Sequence, residues 1–442
     1  MGGWTFLYNF LLILLFLATL PWWTYLFWVK GKYRHSWKQR ILRQTYENMD
    51  TSPGTVIWVH AVSLGETKAV APLIRRFLQE APELPLVVSS GTETGHAEAK
   101  KAFPEARLHL MLPIDFPWLV HPLVQTFSPG LVVLVESDFW WNFLWSAKRQ
   151  GATLAVVNGK MSAASFSRFR GFLWWSRSVF SLFDLVCVQT EEFGDRFREV
   201  GVAQDRLYKT GNLKWDQEVT ESSVEEQKSF AAHLGIEEGD VVIVAGSTHA
   251  GEEKALVEAL RPCLLTNPKI KLVLVPRHPE RFMEVASFLE KQSLPYSRWS
   301  QKEPISAQLI LVDAMGKLGR CYGLAYLAFV GGSLYPGVGG HNIMEPCGVG
   351  VPVLFGPHMA SQREMVALVL AGQAGEMVEE AQLRETLMRW IEDVSLRTSA
   401  SINGKKLKTR LQGSTEATWQ VLRTTVREMQ KKNQKTGCEK IG

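Results

Sequence analysis

A chain of 442 residues is too long for one ordinary domain and suits two of about 200 residues each, both large enough to bury a core. Its 46% hydrophobic and 21% charged residues, with 16 Trp, exclude a disordered or collagen-like chain, and a net charge of +5 is too small to argue for nucleic acid as a partner. The five cysteines form no CxxC pair and no grouping with histidine, which argues against a disulfide framework or zinc site and reads as a reduced, cytoplasmic working part.

Residues 1–29 stand apart and read as a membrane anchor. From Phe6 to Val29 there is no charged side chain, and Leu11 to Leu17 is unbroken apolar sequence. As a helix this stretch covers about 36 Å at about 1.5 Å per residue, enough to cross a bilayer with tilt. Trp22, Trp23, Tyr25 and Trp28 suit the headgroup layer, and Lys30, Lys32, Arg34, Lys38, Arg40 and Arg43 follow with no acidic residue among them. The positive-inside tendency then places the remainder on the cytoplasmic side. A cleaved signal peptide fits poorly, because a basic n-region and a small-residue cleavage site are both lacking. A shallow insertion kinked at Pro21 stays open as the other reading.

Beyond residue 55, short apolar β-branched runs alternate with helical stretches, the signature of parallel βαβ layers. The strand candidates are Val56–Val59, Leu86–Ser89, His109–Leu112, Leu131–Val135, Thr153–Val157 and Leu185–Val188, then Val241–Ala245, Lys271–Val275, Leu309–Val312, Leu327–Val330 and Val351–Leu354. A polar stretch at Gln217–Gln227 divides the two series, so the linker falls near residues 216–230. The expected organisation is an α/β chain with Rossmann-like domains at 30–220 and 221–430 and a frayed basic tail at 431–442. The final helical pattern, about Thr418–Gln430, suits packing on either domain. Two such sheets present their strand carboxyl ends to a shared cleft, where open α/β sheets bind ligands.

Candidate chemistry sits at those strand ends. After the first strand comes His60-Ala61-Val62-Ser63-Leu64-Gly65-Glu66, where a half-buried Glu66 suits a general base; the competing reading makes it a first-turn helix acid favoured by the macrodipole. Ser89-Ser90-Gly91-Thr92 follows the second strand as a capped loop with anion-binding potential. Glu136-Ser137-Asp138 puts two carboxylates after a buried strand, a costly placement unless they are paired or working. Lys214 closes the first domain, either a support for developing phosphate charge or a solvated linker lysine. In the second domain Gly246-Ser247-Thr248-His249 precedes Glu252 and Glu253, and Pro276-Arg277-His278-Pro279-Glu280-Arg281 offers Arg277 as a bidentate grip on an anion. Gly331-Gly332-Ser333, Gly337 to Gly340 and His341 to Glu345 form a glycine-rich loop whose N–H groups suit phosphate, with Glu345 placed for ribose hydroxyls. No DxD motif occurs, so no metal site is expected. The helix-like stretch Phe166–Phe180, with Arg168, Arg170 and Arg177 between aromatics, reads either as a face for lipid headgroups or as a core helix with snorkelling arginines.

Taken in order, HAVSLGE, SSGTETG, LPIDFP, ESDFWWN, NGKMS, GNLKWD, STHAGEE, PRHPERF, MGKLGRCY, FVGGSL, GGHNIMEP and FGPH resemble the family of 3-deoxy-D-manno-octulosonic acid (Kdo) transferases over nearly the whole chain. The resemblance implies an inverting enzyme of GT-B type, with two Rossmann-like domains and parallel sheets around a central cleft. It implies CMP-Kdo as donor, with no further cofactor and no metal, and the tetraacylated lipid A precursor as acceptor, at the cytoplasmic face of an inner membrane. Glu66 matches the family's general base, Glu136 and Lys214 match positions credited with transition-state stabilisation, and Pro276, Arg277, Met315, Gly316, Lys317, Asn342, Ile343, Met344 and Glu345 match the CMP-binding stretches. The chain departs from the family at ESDFWWN for ETELWPN, NGKMS for NARLS, Lys317 for an acid, and Ser361-Gln362 for an Asn-Phe pair. The alternatives are a GT-B transferase using a UDP-sugar on another lipid-linked acceptor, and an inactive membrane-tethered nucleotide-sugar binding protein.

Overall fold

A computed structural model describes residues 3–29, 36–42, 52–216, 223–301 and 307–439. Lys30, Lys32, Arg34 and Arg43 of the basic cluster, residues 217–222 of the expected linker, and 440–442 of the tail lie outside the described residues. The chain divides into two compact units, Met1–Gln217 with Leu411–Gly442, and Glu218–Arg410.

The first unit is built on β1 (Val56–Ala61), β2 (Leu86–Ser90), β3 (Leu108–Met111), β4 (Pro129–Val135), β5 (Thr153–Gly159), β6 (Leu185–Val188) and β7 (Leu207–Lys209). They form one parallel sheet in the order β3-β2-β1-β4-β5-β6-β7. Period-two alternation sends Val56 and Trp58 into the core on one face and Ile57, Val59 and Ala61 into the core on the other. Both faces are thus covered, which explains why the strands are continuous apolar runs rather than alternating ones. Strand order reverses between β1 and β4, and their carboxyl ends open the crevice where such sheets bind ligands.

The second unit repeats the plan with β8 (Val241–Thr248), β9 (Ile270–Pro276), β10 (Tyr296–Arg298), β11 (Leu309–Leu311), β12 (Leu327–Val330), β13 (Val353–Phe355) and β14 (Gly375–Met377). Their order is β10-β11-β9-β8-β12-β13-β14, parallel throughout, with the reversal between β8 and β12. Every strand expected from the sequence is present. β7, β10 and β14 were not foreseen, and all three are edge strands.

The C-terminal segment corrects the expectation that the second domain runs to residue 430. The helix Ser414–Glu439 belongs to the first unit and continues through most of what read as a frayed tail. Trp419, Leu422, Val426 and Met429, spaced three or four apart, enter the same core as Phe77 of the helix Leu64–Glu80. The Phe77 and Trp419 rings meet edge to face at 5.7 Å, and the Asp216 carboxylate accepts the Gly413 N–H at 2.8 Å where this helix begins.

The N-terminal helix, Gly3–Trp28, runs through Pro21 and contains a stretch, Thr5–Tyr25, long and apolar enough by composition to cross a membrane. It is held to the first unit by polar as well as aromatic contacts. The Tyr8 hydroxyl donates to Asp115 at 2.9 Å, the Asn142 amide donates to Asn9 at 2.7 Å, and Phe16 meets Phe116 edge to face at 5.4 Å. The Phe166–Phe180 stretch breaks at Phe172 into two helices, Ala163–Gly171 and Leu173–Phe180. Phe169 and Trp175 pack on the core, as the core-helix reading expects, whereas Phe172 and Trp174 stay 62% and 56% exposed.

Asp115 also accepts the N–H groups of Asn142 and Phe143 at 2.8 and 2.9 Å, capping the helix Trp141–Arg149. Burial pushes its carboxyl up to about 7 against the lowering effect of those hydrogen bonds. Between the ordinary value of 3.8 and about 7 the unfolded chain gives up this proton while the native state keeps it, so the Asp115 contribution to stability falls as pH rises through that window. Asp115→Asn removes the titration. The thermal midpoint of the variant relative to the parent should move in the variant's favour from about pH 4 to about pH 7 and level off above; a difference independent of pH refutes a protonated Asp115.

Candidate active site

Glu66 sits in the first turn of the helix that follows β1. Ser63 is the N-cap, and its hydroxyl accepts the Glu66 N–H at 3.3 Å. The Glu66 carboxylate reaches back to accept the Val62 N–H at 2.7 Å and the Ser63 hydroxyl at 3.2 Å. Glu66 is therefore a first-turn helix acid, as one sequence reading had it, which in addition caps the turn, and its carboxylate remains half-buried at the crevice. Burial raises its pKa above the ordinary glutamate value; the Glu136 charge adds to this, while the Val62 N–H, Ser63 and His60 oppose it. Such a carboxylate accepts a proton more readily than an exposed glutamate.

The loop carrying Glu66 is held from β2. Gly91 N–H and the Thr92 hydroxyl both donate to the Val62 carbonyl, at 3.1 and 3.0 Å. Glu136 lies across the crevice, one residue beyond β4, with φ 65. A left-handed backbone at a glutamate is uncommon and costs of order 1 kcal/mol or more, so the surrounding bonds must hold it. Lys214 pairs with the Glu136 carboxylate at 2.9 Å, and the Asn158 amide donates to the same oxygen at 3.3 Å. The structure thus brings Glu66, Glu136 and Lys214, chosen from sequence, to one end of one sheet.

Asn158 has no role in the sequence reading, although it begins the NGKMS motif. It is fully buried and also left-handed, with φ 55. Its amide nitrogen serves Glu136, its side-chain oxygen accepts the Leu213 N–H at 3.0 Å, and its carbonyl accepts from Gln189 at 3.0 Å. Asn158 therefore fixes both the glutamate and the turn bearing Lys214. A second network runs from Trp58 through Ser89 and His60 to Asp138: Trp58 donates to Ser89 at 2.8 Å, Ser89 meets His60 Nδ1 at 2.8 Å, and His60 Nε2 meets Asp138 at 3.0 Å. Asp138 is thereby separated from Glu136 in role, since it orients His60 and accepts from Trp140 at 2.8 Å.

In the second unit the sequence-chosen residues gather at the carboxyl edge of β8, β9, β11 and β12. Pro276 ends β9, and the exposed Arg277 is fixed by its N–H to the Thr248 carbonyl at 3.1 Å. Arg281 of the same motif is instead committed to the buried Glu253, with contacts of 2.8 and 3.1 Å. Met315 is exposed, Gly316 takes φ 77, and the Lys317 ammonium lies 5.1 Å from the Trp299 ring. Asn342 accepts the Met344 N–H at 3.0 Å, Ile343 and Met344 are buried beneath, and Glu345 is exposed at the start of the helix Met344–Gly348.

The first part of the glycine-rich loop is corrected. The N–H groups of Gly332, Ser333 and Leu334 are not offered to an anion, because the buried Glu252 accepts all three, at 2.8, 3.0 and 3.0 Å. Gly331 donates to the Gly246 carbonyl at 2.8 Å. A Cβ at Gly331 would lie 2.6 Å from Glu252, so the glycine is required by this internal staple. Two histidines in the STHAGEE and GGHNIMEP motifs, also without a role in the sequence reading, meet here: His249 Nε2 and His341 Nε2 are 2.8 Å apart. Burial, followed by the influence of His249, Arg277 and His278, pushes His341 down to about 4, and burial lowers His249 as well, which favours a neutral pair with one imidazole donating to the other. Among the described residues no three His, Cys, Asp or Glu are grouped to hold a metal ion.

Removing the Asn158 amide should cost about 1–3 kcal/mol of first-unit stability, because the buried Leu213 N–H and Glu136 both lose a partner. Denaturant unfolding of Asn158→Ala checks this, and an unchanged midpoint would show that neither group depends on Asn158.

Residues 35–217 match the family described as 3-Deoxy-D-manno-octulosonic-acid transferase (kdotransferase). The chain is 37% identical over 382 residues to the 3-deoxy-D-manno-octulosonic acid transferase of Chlamydophila psittaci, covering 86% of this chain and 87% of that one. It is 30% identical over 379 residues to the protein of the same name from Haemophilus influenzae, covering 85% and 86%. In fold it is similar to UDP-GlcNAc 2-epimerase from Neisseria meningitidis, with a TM-score of 0.59 at 13% identity over 84% of this chain and 99% of that one, in keeping with a GT-B-type pair of Rossmann-like domains. Matched over most of its length by transferases of one name, the chain belongs to the 3-deoxy-D-manno-octulosonic acid (Kdo) transferase family.

Proposed function

We propose that this glycosyltransferase moves Kdo from CMP-Kdo to the acylated, phosphorylated lipid A precursor, with inversion at the anomeric carbon and without a metal ion, at the cytoplasmic face of an inner membrane in which Gly3–Trp28 is anchored. The observation that carries the reading is Glu66, a half-buried carboxylate of raised proton affinity at the β1–β4 reversal, beside the Glu136–Lys214 pair.

In a single displacement Glu66 takes the proton of the acceptor hydroxyl as its oxygen forms the new bond to the anomeric carbon. The bond from that carbon to the CMP phosphate oxygen breaks on the opposite face, and CMP leaves with the electron pair. Inversion follows from attack opposite the leaving group. The departing monophosphate needs cations, which Arg277 and Lys317 supply at the strand ends of the second unit, while Pro276, Met315, Gly316, Asn342, Ile343 and Met344 shape the nucleotide seat and Glu345 suits the ribose hydroxyls. The His249–His341 pair, one imidazole donating to the other, adds a neutral hydrogen-bonding wall near Arg277. Positive charge developing on the sugar ring is offset by Glu136, which Lys214 and Asn158 hold in place.

The test is Kdo transfer from freshly generated CMP-Kdo to the lipid A precursor in detergent, followed by mass. Glu66→Ala should lose on the order of a thousandfold or more in kcat while CMP still binds. Retention of activity within about tenfold removes Glu66 as the base, and competition by UDP rather than CMP overturns the donor. The pH dependence gives a finer check. Because the Glu136 charge raises the Glu66 pKa, Glu136→Gln should shift the acidic limb of kcat/KM to lower pH in whatever activity remains; a limb that stays in place denies the coupling.

A further inference from the structure

The N-terminal helix and the domain it is docked on enclose a cavity of about 340 Å³. Phe16, Leu20, Trp23 and Phe27 form the helix side, and Trp37, Ile41 and Ile114 form the other. A water in such a space finds almost no hydrogen-bond partners, whereas a hydrocarbon chain meets ring and methyl surface throughout. The helix side belongs largely to the apolar stretch Thr5–Tyr25, of which only 6% is buried in the protein, so the cavity opens toward whatever surrounds that helix. Trp22, Trp23, Tyr25 and Trp28 at the end of the stretch mark the depth at which acyl chains meet headgroups.

The domain side of the cavity is bonded to the loop that holds Glu66. Arg40, which also lines the cavity, donates through its guanidinium to the Gly91 carbonyl and to Ser36. Its own carbonyl accepts the Ile114 N–H at 3.0 Å, and Ser36 donates to Glu93 at 2.8 Å. Gly91 and Thr92 in turn bond the Val62 carbonyl, and Val62 N–H bonds Glu66. A chain lying in this cavity is therefore indexed to the base through a short series of hydrogen bonds, which a bulk lipid has no need of and a lipid-linked acceptor does.

We infer that the cavity seats one acyl chain of the lipid acceptor and thereby sets the acceptor hydroxyl against Glu66. This rests on the lipid acceptor proposed above. The test uses the full chain in nanodiscs with lipid A precursor carrying a photoreactive diazirine in its acyl chains, phosphatidylglycerol carrying the same group, and a deacylated phosphorylated disaccharide. Irradiation should place acceptor adducts on the peptides containing Phe16–Phe27 and Trp37–Ile41. Ile114→Trp, which fills the cavity, should cut those adducts about tenfold and raise KM for the acylated acceptor about tenfold, leaving transfer to the deacylated one unchanged. Ile41→Trp serves as a second filling variant where the first lowers the thermal midpoint. Equal labelling by phosphatidylglycerol, or adducts and KM unchanged in a folded filled variant, overturns the inference. Cavity adducts without Kdo transfer by the parent protein would remove the proposed reaction and leave an acyl seat, whereas transfer without cavity adducts would remove the seat alone.

Discussion

A carboxylate taken out of water costs several kcal/mol unless donors replace the lost hydration, and the function of this chain turns on how it meets that cost at its strand ends. Both sheets are parallel and covered on both faces, so polar groups have room only where strands stop. Glu252 spends its oxygens on the N–H groups of Gly332, Ser333, Leu334 and His249 and is shut inside the second unit. Asp115 spends its own on Asn142, Phe143 and Tyr8 and is equally shut in. Glu66 is held by the same device, a backbone N–H and a capping hydroxyl, yet it keeps part of its carboxylate at the crevice. What separates Glu66 from the two stapling acids is access, since all three accept hydrogen bonds.

That distinction explains which parts of the site were legible in the sequence. Glu66 carried two competing readings, first-turn helix acid and general base, and they are compatible: the capping bonds fix the carboxylate that the proposed base requires. Residue type and strand-end position were enough for Glu136, but its partner Lys214 lies in a separate turn and meets it only through folding. Asn158 begins the NGKMS motif, but its neighbours in sequence do not reveal its role. Its importance comes from reaching Glu136, Leu213 and Gln189 at once, and such long-range convergence has no spacing rule. The glycine-rich loop misled for the opposite reason. Glycines after a strand suit phosphate, but here Glu252, about 80 positions earlier in sequence, accepts the N–H groups of Gly332, Ser333 and Leu334.

The fold was legible wherever burial left a mark on composition. Central strands such as β1, β4 and β8 are mostly apolar runs because both faces are covered, with polar residues such as His60, Ser247 and Thr248 only near their carboxyl ends. β7, β10 and β14 read Leu-Tyr-Lys, Tyr-Ser-Arg and Gly-Glu-Met, each three residues long and none an apolar run, so hydrophobicity does not distinguish them from loop. An edge strand is defined by its one neighbour, and short polar edges also discourage pairing with another chain. The final helix was legible as a helix, but its place on the first unit depends on Trp419 meeting Phe77 and on Asp216 receiving the Gly413 N–H, contacts across hundreds of residues.

The anchor shows the same logic at the scale of the whole first unit. Twenty-odd apolar residues suffice for a membrane segment, and a flexible tether would need nothing more. This helix instead carries Tyr8 and Asn9 on the face toward the domain, where each meets a polar partner, and Phe16 to continue the contact with a ring. Polar side chains in an apolar helix are costly in hydrocarbon unless they are paired, so their placement fixes which face of the helix turns inward. A helix fixed in rotation fixes the domain relative to the bilayer normal. If the helix lies in a bilayer as proposed, the distance and angle at which Glu66 approaches the membrane surface are properties of the fold, set by Asp115 and Asn142 in the first unit, and the proposed lipid-linked hydroxyl would meet a carboxylate already held at its own depth.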